Sequence, residues 1–196
     1  MITESSSPGW GFYLLWVVCN SAIIVLSEII GFFLIGGIAS AVAWDSPGAL
    51  LVAVQFAFVA SAFLGVGQWL IMSRYLSQIG IWPVLTIVGY CISVPALFYL
   101  FAHEVGGSFS VERLIVTAII LVGSSVGLCQ WLAIRHLHNS GWWIIIVILD
   151  VALSLLIGQL TNVTIPSIGF GFLTGWGVIW LSQEQPDSLP TIHDKF

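Results

Sequence analysis

The stretch GVGQWLIMSRYLSQIGIW, residues 65–82, decides the fold because it returns as GLCQWLAIRHLHNSGWW, residues 127–143. Gly65, Gln68 and Trp69 have counterparts 62 residues later. The arginine, glycine and tryptophan that follow recur 61 residues later, so one residue is lost in the turn between them. Self-similarity at a fixed interval indicates a chain built from copies of one supersecondary unit.

A weaker third copy lies 44 residues after the second one. The three copies share a small residue, a glycine four positions later and a glutamine or threonine three positions after that. These positions lie on one face of a helix, and small residues on such a face let a second helix approach closely in lipid. The predicted packing residues are Ser61, Gly65, Gly123, Gly127, Ser167 and Gly171.

The composition of the whole chain excludes a soluble protein. The 196 residues include 59% hydrophobic and 7% charged residues, and the mean hydropathy is +1.07, whereas soluble domains carry about 25% charged residues. The four Lys and Arg residues form no basic cluster, so the sequence predicts no electrostatic surface for anionic lipid or nucleic acid and excludes nucleic acid as a partner. The chain therefore belongs in a lipid bilayer.

Six apolar runs separated by polar breaks predict six transmembrane helices. The runs cover about 11–38, 49–72, 81–102, 114–134, 142–160 and a last one ending near residue 181. We therefore predict an all-α, polytopic membrane bundle that forms one integral membrane domain over residues 1–196. Three repeated helical hairpins, at about 11–74, 80–135 and 141–182, precede a polar tail at 183–196.

The few positive charges predict the orientation of the bundle. With six spans, Arg74, Arg135 and Lys195 fall on one side and Arg113 falls on the other. Positive residues favour the cytoplasmic side, so both termini are predicted to be cytoplasmic, in a bacterial plasma membrane.

The repeated Gly-xx-Gln-Trp-Leu, the arginine and the Gly-xx-Trp or Gly-Trp-Trp resemble a group of small polytopic bacterial membrane proteins, often cyanobacterial. Their last helix commonly carries Gly-xx-Thr-Gly, similar to residues 171–175 here, and the resemblance covers about residues 64–181. Glu28 and Cys129 depart from that pattern. The resemblance implies a helical membrane protein, with a thylakoid location if the source is cyanobacterial, and it implies no activity.

Six polar residues inside the apolar runs form a predicted polar layer. They are Asn20, Glu28, Gln68, Gln130, Asp150 and Thr174. Counting about 1.5 Å of rise per residue places all but Glu28 at one depth, near the cytoplasmic boundary. Asn20, Gly89 and Asp150 each lie seven residues after an aromatic residue. These aromatic residues are Tyr13, Trp82 and Trp143, which we expect to be equivalent.

The polar layer has two interpretations. The two carboxyl groups, Glu28 and Asp150, suit a proton or cation site, because acidic residues within spans usually face the bundle interior and have a role. Alternatively each acid is protonated and bonds a neighbouring helix, and the glutamines hold helices together. We favour the structural interpretation, since no basic partner lies inside the spans.

No catalytic motif, cofactor fingerprint or metal-ligand pattern is present in the sequence. His136 and His138 are predicted to be solvated side chains near the interface, and the three cysteines to be small buried apolar groups. We therefore predict a non-enzymatic accessory or packing subunit of a membrane complex, or a homo-oligomer, with no cofactor or metal. The alternative is a channel or carrier that uses the polar layer.

Overall fold

The chain is all α-helical wherever the computed structural model describes it, namely at residues 9–39, 47–76, 78–104, 111–161 and 171–183. The helices are α1 (Trp10–Ala39), α2 (Pro47–Met72), α3 (Trp82–Glu104), α4 (Val111–Ile134), α5 (Trp142–Thr161) and α6 (Phe172–Gln183). Their positions follow the six apolar runs. The polar tail from residue 184 onward lies outside the described residues.

Three helices in the described part of the chain are long and apolar enough to cross a bilayer: Gly48–Met72, Trp82–Leu100 and Ile115–Ile134. The described apolar segments of α1 and α5, Trp10–Leu26 and Trp142–Ile157, are shorter. Helix α6 has 12 residues, and its length of about 18 Å is less than the roughly 30 Å of a bilayer core.

The six helices form a closed ring. Each helix packs against the next one along the chain, and α1 packs against α6 to complete the circle. Packing of sequential neighbours is expected where short turns join antiparallel helices. Closure of the ring brings the two ends of the described chain together.

The distribution of side chains is the reverse of that in a soluble bundle. Amide and carboxyl side chains in the centre are at most 3% exposed, while Leu14, Val18 and Ile120 on the outside are 60–63% exposed. Apolar side chains cannot cover so much of a water-facing surface, so the exterior suits the hydrocarbon of a bilayer.

The two turns of the repeat, after α2 and after α4, share features of the backbone. Gln78 and Asn139, which are 61 residues apart in the sequence, both have a left-handed backbone, with φ of 61° and 56°. In each turn the amide of the buried tryptophan, Trp82 or Trp143, donates to the carbonyl three residues earlier. The two turns therefore share a left-handed residue and a backbone hydrogen bond at positions 61 residues apart.

The repeat glycines lie where neighbouring helices approach each other closely. A Cβ built on Gly65 would be 3.0 Å from the Pro83 Cα, and one built on Gly127 would be 3.2 Å from the Ile144 Cα. These distances are shorter than normal packing contacts, so each glycine admits a neighbouring backbone. The first position of the motif behaves similarly in Gly123, where a Cβ would lie 2.9 Å from the Ile148 Cα.

Candidate functional site

Three amide side chains form a chain of hydrogen bonds across α4, α2 and α1. Gln130 Nε2 donates to Gln68 Oε1 at 3.3 Å, and Gln68 Nε2 donates to Asn20 Oδ1 at 2.8 Å. Asn20 Nδ2 then donates to the Trp16 carbonyl at 2.8 Å. The structure therefore brings together three of the residues in the predicted polar layer, although they are far apart in sequence.

Tryptophan indoles bind the amides of the neighbouring helices. Trp82 Nε1 donates to Gln68 Oε1 at 3.1 Å, and Trp143 Nε1 donates to Gln130 Oε1 at 3.2 Å. Each indole comes from the helix that follows the glutamine in the chain, so the bonds join α2 to α3 and α4 to α5. The repeated contact therefore links one predicted hairpin to the next.

The same contact closes the ring between α6 and α1. Trp16 Nε1 donates to Thr174 Oγ1 at 3.3 Å, across 158 residues of sequence. Threonine stands here at the position that glutamine occupies in the other two copies. The ring thus contains three equivalent junctions: α2/α3, α4/α5 and α6/α1.

The expected alignment of α1 with the repeat is wrong by three residues. Tyr13 was expected to match Trp82 and Trp143, but the indole that binds the third copy belongs to Trp16. Asn20 therefore matches Thr86, which lies four residues after Trp82. Thr86 is itself in the layer, where it accepts a hydrogen bond from Gln130 Nε2 at 3.1 Å.

Asp150 holds the beginning of α6. Its Oδ2 accepts hydrogen bonds from the Gly171 amide at 2.9 Å and from the Thr174 hydroxyl at 3.1 Å. Its Oδ1 accepts one from the Leu173 amide at 2.9 Å. The first amides of a helix have no partners within the helix, and a carboxylate there is also favoured by the helix dipole. The carboxyl group of α5 therefore caps α6 from outside its own helix.

Gly171 makes this capping arrangement sterically feasible. Its φ is +103°, a conformation that favours glycine, and a Cβ there would lie 3.1 Å from the Asn20 Cβ. Through the Trp16 to Thr174 contact, the capped end of α6 joins the amide chain. The resulting polar layer passes through all six helices, and its members are Trp16, Asn20, Gln68, Trp82, Thr86, Gln130, Trp143, Asp150 and Thr174.

Buried apolar side chains cover the polar layer on both sides. On the side of the turns lies the end cluster, whose buried members include Phe12, Met72, Leu76, Ile79, Ile134, Val178 and Leu181. On the other side lies a smaller cluster around Leu64 and Val151. Hydrogen bonds among buried apolar side chains are stronger than in water.

The buried polar atoms of the layer are satisfied by one another. Among the described residues, the one buried side-chain nitrogen or oxygen without a hydrogen-bond partner is Trp131 Nε1, which belongs to a tryptophan packed against the end cluster. No group of three or more His, Cys, Asp or Glu in the described part could hold a metal ion. His136 and His138 are exposed.

Two of the predicted residues have side chains outside the described part of the chain, and a third bonds within its own helix. The backbone of Glu28 lies in α1, but its side chain lies outside the described part of the chain, as does the whole of Ser167. Ser61 is buried and its hydroxyl donates to Ala57 and Phe58 carbonyls of its own helix. It therefore forms no side-chain hydrogen bond to a second helix there.

Sequence reasoning missed the tryptophans as members of the layer. Tryptophans at the ends of apolar runs are typical of the membrane interface, but Trp82 and Trp143 are at most 1% exposed, and their ring centroids lie 5.4 Å apart. Their repetition at one fixed distance after a glutamine was the signal for this role. Thr86 gave no such signal, since valine stands at the equivalent position 147.

Comparison with known proteins adds no relative to this description. The chain matches no protein-family model, no curated protein and no solved structure.

Proposed function

We propose that the chain is a non-enzymatic integral membrane protein that serves as an accessory or packing subunit of a membrane complex or as a homo-oligomer. The observation that carries this proposal is the closed polar layer. Its amides, indoles and carboxyl group bond to one another and are covered by apolar side chains on both sides. Such a layer fixes the register of six helices, and each of its described buried polar side-chain atoms has a hydrogen-bond partner within the bundle.

Several features support a bundle that spans the membrane six times. The apolar exterior of the ring suits lipid, and the repeat turns carry Arg74 and Arg135 at one end. By the positive-inside rule this end is cytoplasmic, together with both termini. The resemblance noted for the repeat supports a bacterial plasma membrane, or a thylakoid membrane if the source is cyanobacterial.

Reporter fusions test the topology. A reporter that is active only in the cytoplasm should be active when fused after Phe196 and inactive when inserted within residues 105–110. A reporter that is active only outside should give the opposite result. Two fusions that report the same side would contradict six spans and favour five.

Cysteine labelling tests whether the layer is dry. In a background with Cys19, Cys91 and Cys129 replaced by alanine, new cysteines at Leu64 and Val126, which are at most 3% exposed, should resist a water-soluble maleimide. A cysteine at the exposed turn residue Gln78 is the positive control. Labelling at both buried positions as fast as at Gln78 would identify an aqueous pathway and would contradict a packing role.

A channel or carrier is the second candidate, and one observation favours it. Asp150 meets the N-terminal amides of the short helix α6 in the interior of the bundle. In secondary transporters, half-helix ends at the middle of the membrane bind ions and substrates. Acidic groups at such depths are typical of proton pathways.

Proton flux separates the two candidates. Vesicles that contain the wild-type protein should conduct protons no faster than empty vesicles if the layer is structural. A strong flux that Asp150→Asn abolishes, with the helical content unchanged, would establish the carrier and overturn our proposal. The same variant without any flux phenotype would support it.

The mass of the particle that contains the protein distinguishes a homo-oligomer from an accessory subunit. Purified protein in lipid nanodiscs should give the mass of two or more copies if the apolar exterior packs against itself. A single copy in nanodiscs, together with a heavier species in native membranes, would favour a different membrane protein as partner.

A further inference from the structure

The two repeat turns present the same chemical pattern at one end of the bundle. The turns are residues 74–81 and 135–142, and they lead into Trp82 and Trp143, whose ring centroids are 5.4 Å apart. Leu76 and Ile79 of the first turn belong to the end cluster, and Leu137 of the second turn packs against it. Both turns therefore lie at the same end of the bundle and place Arg74 and Arg135 there, although the sequence contains no basic cluster.

Each turn begins with an exposed arginine. Arg74 and Arg135 are both exposed, and the second turn adds the exposed His136 and His138. No acidic residue occurs in the sequence from position 46 to 103 or from 113 to 149. The exposed charge of the two turns is therefore entirely positive.

Each turn ends with an exposed apolar side chain next to the buried tryptophan. Ile81 is 53% exposed and Trp142, the residue at the equivalent position, is 56% exposed. The tryptophans that follow them are anchored in the polar layer, so these two side chains are fixed in place on the outside of the ring. Apolar and aromatic side chains at this level are typical of the interface between headgroups and acyl chains.

We propose that the two turns form a binding surface for anionic phospholipid, in which Arg74 and Arg135 bind headgroup phosphates and Ile81 and Trp142 contact the adjoining acyl chains. The guanidinium group donates two parallel hydrogen bonds to a phosphate, which an amine cannot do in the same way. A free phosphate would bind the arginines but would leave the apolar side chains uncovered. A phospholipid binds the arginines through its headgroup and covers the apolar side chains with its acyl chains. This inference rests on the proposed placement of the protein in a membrane.

Lipid binding to the purified full-length protein in a neutral detergent tests the proposal. Phosphatidylglycerol, followed by native mass spectrometry and by thermal stability, should bind more tightly than phosphatidylcholine and should raise the melting temperature as a bound ligand does. Each of Arg74→Gln and Arg135→Gln should weaken phosphatidylglycerol binding about fivefold, and both together about 25-fold. Neither arginine is buried, so the helical content should not change.

Matched variants make the result specific. Arg113→Gln removes one positive charge at the opposite end of the bundle and should leave phosphatidylglycerol binding unchanged. The double change to lysine keeps the charge without the planar guanidinium and should recover part of the affinity. Ile81→Ser with Trp142→Ser should weaken lipid binding and leave the affinity for glycerol phosphate unaltered.

Three outcomes would overturn the proposal. They are equal binding of the two lipids, unchanged binding in the double arginine variant, and competition by free glycerol phosphate at the concentration of the lipid. The last result would indicate a soluble phosphate ligand. A protein that is stable in buffer without detergent would instead contradict the membrane placement, so the two failures are distinguishable.

Discussion

The junctions α2/α3 and α4/α5 differ from the junction α6/α1 in how the same contact is made. In the first two, a glutamine accepts the indole N–H of a tryptophan 13 or 14 residues later in the chain. In the third, Thr174 accepts it from Trp16, 158 residues away. A hydroxyl reaches less far than an amide, and it bonds to Asp150 in addition to the indole.

This difference shows how one motif serves two purposes. Where the chain turns directly from one helix to the next, a glycine, a glutamine and a tryptophan are sufficient to hold the pair. Where the ring must close between helices from opposite ends of the described chain, a carboxyl group is added that binds helix amides directly. The closing junction therefore contains one additional side chain, Asp150, which the local junctions lack.

The largest effect is expected from removing that side chain. Asp150→Leu leaves the Gly171 and Leu173 amides and the Thr174 hydroxyl without their acceptor, and each unpaired buried group costs about 1 kcal/mol or more. We expect the free energy of unfolding in detergent to fall by about 3 kcal/mol. Ser154→Ala, which removes only a bond from Ser154 to the backbone carbonyl of Asp150, is the control. An equal loss in both variants would contradict the capping role.

The second-largest loss of stability is expected when a glycine at a local junction is replaced by a larger residue. Gly65→Leu and Gly127→Leu place a side chain against the backbones of Pro83 and Ile144, and separation of the helices should destabilise the bundle by about 2–3 kcal/mol. Gly141→Leu is the control because a Cβ there meets nothing within 4 Å. Thermal unfolding in detergent provides the measurement. Unchanged melting temperatures in both junction variants would place these glycines away from the helix contacts.

Removing the hydrogen-bonding group from each kind of junction should have a smaller, graded effect. Gln68→Leu loses bonds to Asn20, Trp82 and Gln130, and hydrogen bonds between membrane helices average about 0.6 kcal/mol each, so we expect a loss of about 2 kcal/mol. Thr174→Val loses bonds to Trp16 and Asp150 and should lose about 1 kcal/mol. Denaturant titration of both variants measures which of them loses more free energy of unfolding. If Thr174→Val had the larger effect, the closing junction would depend on its side-chain hydrogen bonds more than the local junction of Gln68 does.

The smallest effect is expected at the first position of the motif in the first copy. The Ser61 hydroxyl bonds to carbonyls of its own helix, and Ser61→Ala should change the free energy of unfolding by no more than about 0.5 kcal/mol. Gly123→Ala, at the equivalent position of the second copy, should be clearly destabilising because its Cβ would lie 2.9 Å from the Ile148 Cα. Similar values for the two variants would mean that the copies pack alike.

The sequence alone determined the helices and the composition of the layer's centre. Apolar runs of about 20 residues leave a chain few alternatives to helices in lipid, because every backbone polar group must be paired within the segment. Asn20, Gln68 and Gln130 stood out because amides are rare in such runs, and the repeat placed the two glutamines in equivalent surroundings. These inferences needed only periodicity and spacing.

The tertiary structure alone decided how the ring closes. Trp16 and Tyr13 are both aromatic and lie within one helical turn of each other, so spacing could not tell which of them meets Thr174. The role of Asp150 was equally hidden, because two of its partners are backbone amides 21 and 23 residues later, and backbone amides have no signature in the sequence. Only the packing of all six helices brings the two ends of the ring close enough for these bonds to form.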